Sequence, residues 1–196
     1  MGPGMRAVIW FQGCTIKCRG CIAPHTWEFD DKFRRDVRDV ADTILNCANP
    51  MPEGLTITGG EPLSQAAALF TLLTRLRECG MEDIILYSGH TFDFVGKNYP
   101  GIIGLVDVLI DGPFVEGLES DLPWKGSQNQ QMIILTKDET LRKKYVEYRE
   151  YQCGGIIGSG QTGDKRKVQI LARGDYVYVI GIPHQKDSEA IKNGFS

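Results

Sequence analysis

Cys14, Cys18 and Cys21 stand with three and then two residues between them, in a stretch that opens on Gly13 and includes Gly20. Thiolate sulfur is the usual ligand of iron–sulfur clusters, so three thiolates from one loop can hold three irons of a cubane. A closed structural metal site takes four protein ligands, whereas three leave a corner open to something else, as working metal centres do. The same residues allow a zinc reading. His25 lies four residues after Cys21, and Cys14, Cys18, Cys21 and His25 together would close a tetrahedron. Three buried free thiols would be a third reading, which the intervening Lys17 and Gly20 suit poorly.

The rest of the chain must position that loop. Its 196 residues, 42% hydrophobic and 24% charged, are enough for one domain with a substantial core. A net charge of −3 and a pI near 5.7 argue against a surface that holds nucleic acid by its phosphates. No apolar run approaches the ~18 residues of a membrane span, and the N-terminus carries no basic-then-apolar signal. A cytoplasmic protein without membrane contact is therefore expected. Disulfides are not expected in such a chain, and Cys47, Cys79 and Cys153 read as ordinary thiols.

Arg6–Phe11 reads as a buried strand feeding the cysteine loop. Asp30–Asp39 is a charge run expected to form a solvated helix face. Val37, Val40, Ala41, Ile44 and Leu45 then recur at helical spacing before Pro50 and Pro52. Leu55–Thr58 is a strand ending in Gly59-Gly60-Glu61-Pro62. A helix follows with Ala67, Phe70, Leu73 and Leu76 among its apolar positions, stopping at Gly80. Asp83–Tyr87 is a strand ending in Ser88-Gly89-His90. Thr91–Lys97 reads as a short helix, Tyr99-Pro100-Gly101 as a turn, and Val106–Ile110 as a strand ending in Asp111-Gly112-Pro113. Gln131–Leu135 is a fifth strand, and a charged helix runs from about Asp138 to Tyr151. After a glycine-rich stretch from Cys153 to Lys165, Lys167–Leu171 and Tyr176–Gly181 flank Arg173-Gly174-Asp175 as a β-hairpin. Alternating strands and helices specify an α/β fold with a parallel sheet. Too few units are present to close an eightfold barrel, so a partial, open one is expected. Chemistry in such folds gathers at the C-terminal ends of the strands. Those ends carry the cysteine loop, Gly-Gly-Glu, Ser-Gly-His and Asp-Gly-Pro.

Cys-x3-Cys-x2-Cys followed by Gly59-Gly60-Glu61-Pro62 resembles the radical S-adenosylmethionine (SAM) superfamily. More narrowly, the chain is similar to the activating enzymes of glycyl-radical proteins, above all the anaerobic ribonucleotide reductase activases. Gly2-Pro3-Gly4-Met5-Arg6, Gly20-Cys21 with Trp27, Asp107 to Phe114 and Trp124 to Gln130 carry that likeness in order. The chain departs from the family pattern in three places. It begins directly at Gly-Pro-Gly, it has Lys125 where arginine is usual, and it extends past Cys153 into the hairpin.

The resemblance implies a partial parallel β/α barrel of the radical SAM type over residues 1–152, with 153–196 as linker, hairpin and tail on the same domain. It implies a [4Fe–4S] cluster on Cys14, Cys18 and Cys21, with SAM chelating the open iron. Reductive cleavage would yield a 5′-deoxyadenosyl radical that takes hydrogen from a glycine of a partner glycyl-radical enzyme. Electrons would come from a donor such as flavodoxin or ferredoxin. Gly20, Cys21 and Ile22 are expected beside the adenine. Gly59 and Gly60 are expected to let backbone approach the ligand, and Glu61 to accept from its ammonium, although a plain turn also explains these three. Ser88 and Asp111 are expected to contact its polar parts, Asp111 alternatively capping the Gly112-Pro113 turn. Trp10 and Phe11 suit either a wall around the cluster or ordinary core, and Lys125–Gln130 suits a docking surface. His90 and His184 have no evident partners. Two alternatives use the same residues: a radical enzyme acting on a small molecule or peptide, deazaguanine-synthase-like for example, and a non-catalytic zinc or iron–sulfur module.

Overall fold

The computed structural model describes residues 1–46 and 51–150, and the backbone of 169–173 and 176–180. Five strands form one sheet in the order of the chain: β1 (Arg6–Phe11), β2 (Gly54–Gly59), β3 (Ile84–Tyr87), β4 (Val108–Asp111) and β5 (Gln131–Ile134). The first four are mutually parallel, with Arg6 opposite Gly54, Leu55 opposite Ile84 and Ile85 opposite Val108. The fifth runs antiparallel to β4, with Asp111 opposite Gln131. A uniformly parallel sheet would need a crossover between β4 and β5. The intervening loop instead folds back on itself and returns the chain as an edge hairpin partner.

Successive strand residues point to opposite faces, and here both faces are apolar. On one side Leu55, Ile57, Ile84, Leu86 and Leu109 pack against α1 (Val37–Asn46) and α2 (Ala66–Glu78). Helix α1 offers Ala41 and Ile44 to that core, in phase with its sequence pattern. Helix α2 offers Leu69, Leu72, Leu73 and Leu76, whereas Ala67 and Phe70 face outward. The Asp30–Asp39 run is divided between a short 3₁₀ turn over Asp31–Phe33 and the start of α1. Thr91 caps α3 (Phe92–Asn98), and Pro100 starts the short α4 (Pro100–Ile103) in place of a turn, because its fixed φ suits a first helical position. On the other face Ile85, Val108, Ile110 and Met132 pack with Trp124 and with Tyr145 of α5 (Glu139–Arg149). A separate antiparallel pair, β6 (Gln169–Arg173) and β7 (Tyr176–Ile180), forms the hairpin two residues further along its first strand than the pattern places it. The glycine-rich stretch, Cys47, Cys153 and His184 lie outside the described residues, as does the point at which the chain would divide into 1–152 and 153–196.

The strand N-termini are closed by charge. Asp83, 2% exposed, takes hydrogen bonds from Arg6 Nη1 (2.8 Å), Lys144 Nζ (3.0 Å) and the Tyr145 hydroxyl. Arg6 also donates to Thr56 Oγ1, Leu55 O and Asp83 O, which ties β1, β2 and β3 at one end and clamps α5 over it. Arg77 and Asp107 (2.7 Å) repeat the device for α2 and the entry to β4. Burial pushes the Asp83 carboxyl up, but Arg6, Tyr145 and Lys144 outweigh it and hold its pKa below the ordinary aspartate value. A depressed folded pKa contributes stability above the unfolded value, near pH 4, and that contribution is lost as pH falls through the folded one. Asp83→Asn should therefore cost about 3–5 kcal/mol in urea unfolding at pH 7, since it leaves the buried Arg6 unpaired. The gap between mutant and wild type should narrow as the pH is taken down to about 3.

Candidate functional site

The site begins as a continuation of strand pairing beyond the strands themselves. Gly60 N–H donates to Phe11 O (2.7 Å) and Glu61 N–H to Gly13 O (2.9 Å), so the cysteine loop leaves β1 already tied to the end of β2. Gly13 and Cys14 N–H then donate to Thr26 and Trp27 carbonyls (2.8 and 2.9 Å), closing the loop on its own far end. Gln12 secures that end through His25 O and Glu28 O. A Cβ on Gly60 would collide with the Gly13 carbonyl, and one on Gly59 with the Phe11 backbone. These glycines thus let two backbone segments of the protein meet. That is a different reason from the close ligand approach expected of them, although both still line the cavity described next. Lys17 is the one non-glycine with positive φ (50°) among the described residues, and it turns the chain between Cys14 and Cys18.

Cys14, Cys18 and Cys21 line a single cavity of about 130 Å³. Opposite them lie Gly59, Gly60 and Glu61 from the end of β2, Tyr87, Ser88 and Gly89 from β3, Gly112 from β4, and Phe114 and Gln130. Burial raises the Cys18 thiol, a Phe114 backbone hydrogen bond opposes this, and Cys21 and Cys14 add to the rise. Ala23 N–H also donates to Cys21 Sγ (3.4 Å). Among the described residues, no three His, Cys, Asp or Glu side chains converge on a point that could hold one metal ion. The cysteines of a cubane each bind a different iron, so a cluster does not require them to meet at one point. His25 stands outside the cavity, its ring stacked on Trp10 at 6.5 Å. Trp10 is about half exposed and Phe11 packs into the helix-side core, so neither walls the cavity.

Glu61 is 1% exposed. Its Oε1 accepts from Leu63 N–H (2.9 Å) and Ser88 Oγ (3.0 Å), and its Oε2 from Gly89 N–H (2.8 Å). Burial raises its pKa, and the Leu63 and Gly89 N–H groups only partly restrain the rise. Ser88 therefore serves Glu61 as well as lining the cavity. Asp111 lies just outside, with Oδ2 accepting from Phe92 N–H (2.7 Å) and Oδ1 from Gln131 N–H (3.2 Å). It joins α3 and β5 to the end of β4, and no hydrogen bond to the Gly112-Pro113 turn accompanies these. Gly20 abuts Phe114 and Glu116, and Ile22 is 52% exposed beyond the cavity edge. His90 stacks on Phe94 at 4.4 Å.

The loop after β4 was legible as polar but not as packed. Trp124 is buried, its indole N–H donating to Arg149 O (3.0 Å). Gln130 accepts from Gly126 and Ser127 N–H and donates to Gly112 O, while Asn129 donates to Pro113 O and Lys125 to Gln128 O and Gln130 O. Most of the amides expected to dock a partner thus hold the loop together, presenting Phe114 and Gln130 to the cavity. Ile16, Tyr87, Gly89, Phe114 and Gln130 also line the cavity, and the sequence reading gave none of them a cofactor-binding role. Position at a strand end was a signal available for Tyr87 and Gly89 only.

Three cysteines thus line an open cavity at the C-terminal rim of a mostly parallel α/β sheet. The chain belongs to the 4Fe-4S single cluster domain family, whose model matches residues 1–133. Its relatives include the anaerobic ribonucleoside-triphosphate reductase-activating proteins of Vibrio cholerae and Haemophilus influenzae. The first is 31% identical over 135 residues, covering 66% of this chain and 87% of that protein. The second is 34% identical over 140 residues, with coverage of 66% and 87%. The protein of the same name from Enterobacteria phage T4 is 31% identical over 134 residues, with coverage of 67% and 85%.

Gly60→Ala tests the backbone junction. The clash is with a carbonyl and not with a flexible side-chain end, so a loss of about 1–3 kcal/mol is expected. It should be accompanied by reduced iron incorporation, measured by unfolding and by iron content after anaerobic reconstitution.

Proposed function

We propose that this chain is a radical SAM enzyme of the glycyl-radical activase type, built on a partial β/α barrel, with an anaerobic ribonucleoside-triphosphate reductase as its protein substrate. The observation that carries the reading is the meeting of Cys14, Cys18 and Cys21 with Gly59, Gly60 and Glu61 around one cavity. Membership of a 4Fe-4S family and likeness to reductase-activating proteins support it. Cys14, Cys18 and Cys21 would hold the [4Fe–4S] cluster, leaving one iron for SAM. Bound there, the cluster and SAM would supply one-electron cleavage of the SAM sulfonium, with the electron from a flavodoxin or ferredoxin, and thereby the means to remove hydrogen from a glycine of the partner.

The chain's own residues bind, orient and shield. Glu61 fills three acceptor positions with protein donors, and a carboxylate offers about four. One remains for an ammonium group, and three fixed donors hold it in place. Tyr87, Phe114 and Ile16 provide apolar wall, and Gly20 lets the cysteine loop seat against Phe114. Access remains from the rim, which suits a loop presented by another protein. Among the described residues no helix is long and apolar enough to cross a membrane.

Reconstituted anaerobically with iron and sulfide, the protein should release methionine and 5′-deoxyadenosine from SAM under reducing conditions. It should also produce a glycyl-radical signal in the reductase. Colourless protein holding zinc would sink the reading, and Cys14→Ala should abolish turnover. A cationic ligand favours the ionised carboxylate, so SAM affinity should fall as pH drops through the raised pKa of Glu61. Glu61→Gln should weaken binding roughly 10-fold or more, for a charged hydrogen bond worth about 1.5–3 kcal/mol, and flatten that pH dependence.

A further inference from the structure

Glu61 does not use its two carboxylate oxygens alike. Oε1 accepts twice, from Leu63 N–H (2.9 Å) and from Ser88 Oγ (3.0 Å), whereas Oε2 accepts once, from Gly89 N–H (2.8 Å). A carboxylate oxygen has about two acceptor positions, so Oε1 is filled and the open position is on Oε2. Ser88 is itself buried, and its hydroxyl is engaged from both sides. Its oxygen accepts from His90 N–H (3.1 Å), and its one proton goes to Oε1, because an ionised carboxylate can only accept. That leaves Ser88 no proton to give to a ligand in the cavity. The turn after β3 thus reaches Glu61 by two routes, Ser88 to Oε1 and Gly89 to Oε2, and both hold a carboxylate that belongs to the end of β2.

We propose that Ser88 is a positioning residue that acts on bound SAM through Glu61, occupying Oε1 so that Oε2 is the oxygen that meets the ligand's ammonium. This inference rests on the SAM reading above. Rotation of the carboxylate would exchange the two oxygens, and the Ser88 hydroxyl resists it together with the Leu63 and Gly89 N–H groups. The Ser88 hydrogen bond also lowers the Glu61 pKa, against the larger rise from burial. Removing it favours the neutral acid, which a cation binds less well. Of the titratable groups around Glu61, His90 lowers its pKa by its charge, and Cys14, Cys18, Cys21 and Tyr87 line the same cavity.

The test uses the full chain, reconstituted anaerobically with iron and sulfide and left oxidised so that no turnover occurs. SAM affinity is measured by equilibrium dialysis as a function of pH. Ser88→Ala should weaken binding about 3- to 10-fold, as loss of one hydrogen bond would, and should move the pH at which affinity falls upward. Ser88→Thr, which keeps the hydroxyl, should lie closer to wild type on both counts. In a Glu61→Gln background Ser88→Ala should cost much less, because the two residues act as one unit. Wild-type affinity and midpoint in Ser88→Ala, or an equal loss in both backgrounds, overturns the proposal while leaving the SAM reading intact. Wild-type holoprotein that binds no SAM overturns both. A crystal structure of the wild-type holoprotein with SAM covers a variant that does not fold. The ammonium is expected within hydrogen-bond distance of Oε2, and an ammonium placed on Oε1, on Ser88 Oγ or away from Glu61 overturns the proposal.

Discussion

Two backbone hydrogen bonds beyond the end of the sheet, Gly60 N–H to Phe11 O and Glu61 N–H to Gly13 O, are the constraint on which the rest of the site depends. They extend the β1–β2 register past both strands and bring the cysteine loop and the Gly-Gly-Glu turn into one piece of structure. No side chain fits at the junction. The glycines there satisfy a packing requirement between protein backbones, and the placement of Glu61 opposite the three cysteines follows from it.

The two ends of the sheet divide the work. At the strand N-termini, the buried pair Arg6–Asp83 and the partly buried pair Arg77–Asp107 join strands and helices. The buried pair breaks at considerable cost if one partner is lost. At the C-terminal rim, glycines and a self-bonded loop leave space, and the buried carboxylate on the cavity is Glu61, held by hydrogen bonds and, among the described residues, in no ion pair. Its raised pKa has burial as its main cause. A rim that can receive a positively charged ligand is therefore set on a base that cannot easily deform, the arrangement usual for β/α folds.

The polar segment from Gly112 to Gln130 belongs to the same design. Gln130 reads as a surface amide, yet both ends of its side chain are engaged with backbone, to Gly126 and Ser127 on one side and Gly112 on the other. With Trp124 buried beneath, this brings Phe114 over the cysteine loop and makes β5 antiparallel.

Local pattern determined much of this protein. Strand alternation and helical spacing mark β1 through β5 and the main helices to within a few residues, because burial on a sheet or helix face imposes its period directly on the chain. The cysteine spacing and the Gly-rich strand ends likewise pointed to the rim, since metal-ligand chemistry and tight turns each require particular residue types. What tertiary structure alone decided concerns partners distant in the chain. Asp111 turned to Phe92 and Gln131, His25 stacked on Trp10 away from the cysteines, and Trp27 joined the lining of the cavity. A side chain's hydrogen-bonding capacity is written in its residue type, but which acceptor or donor it meets depends on how separate segments are packed against one another.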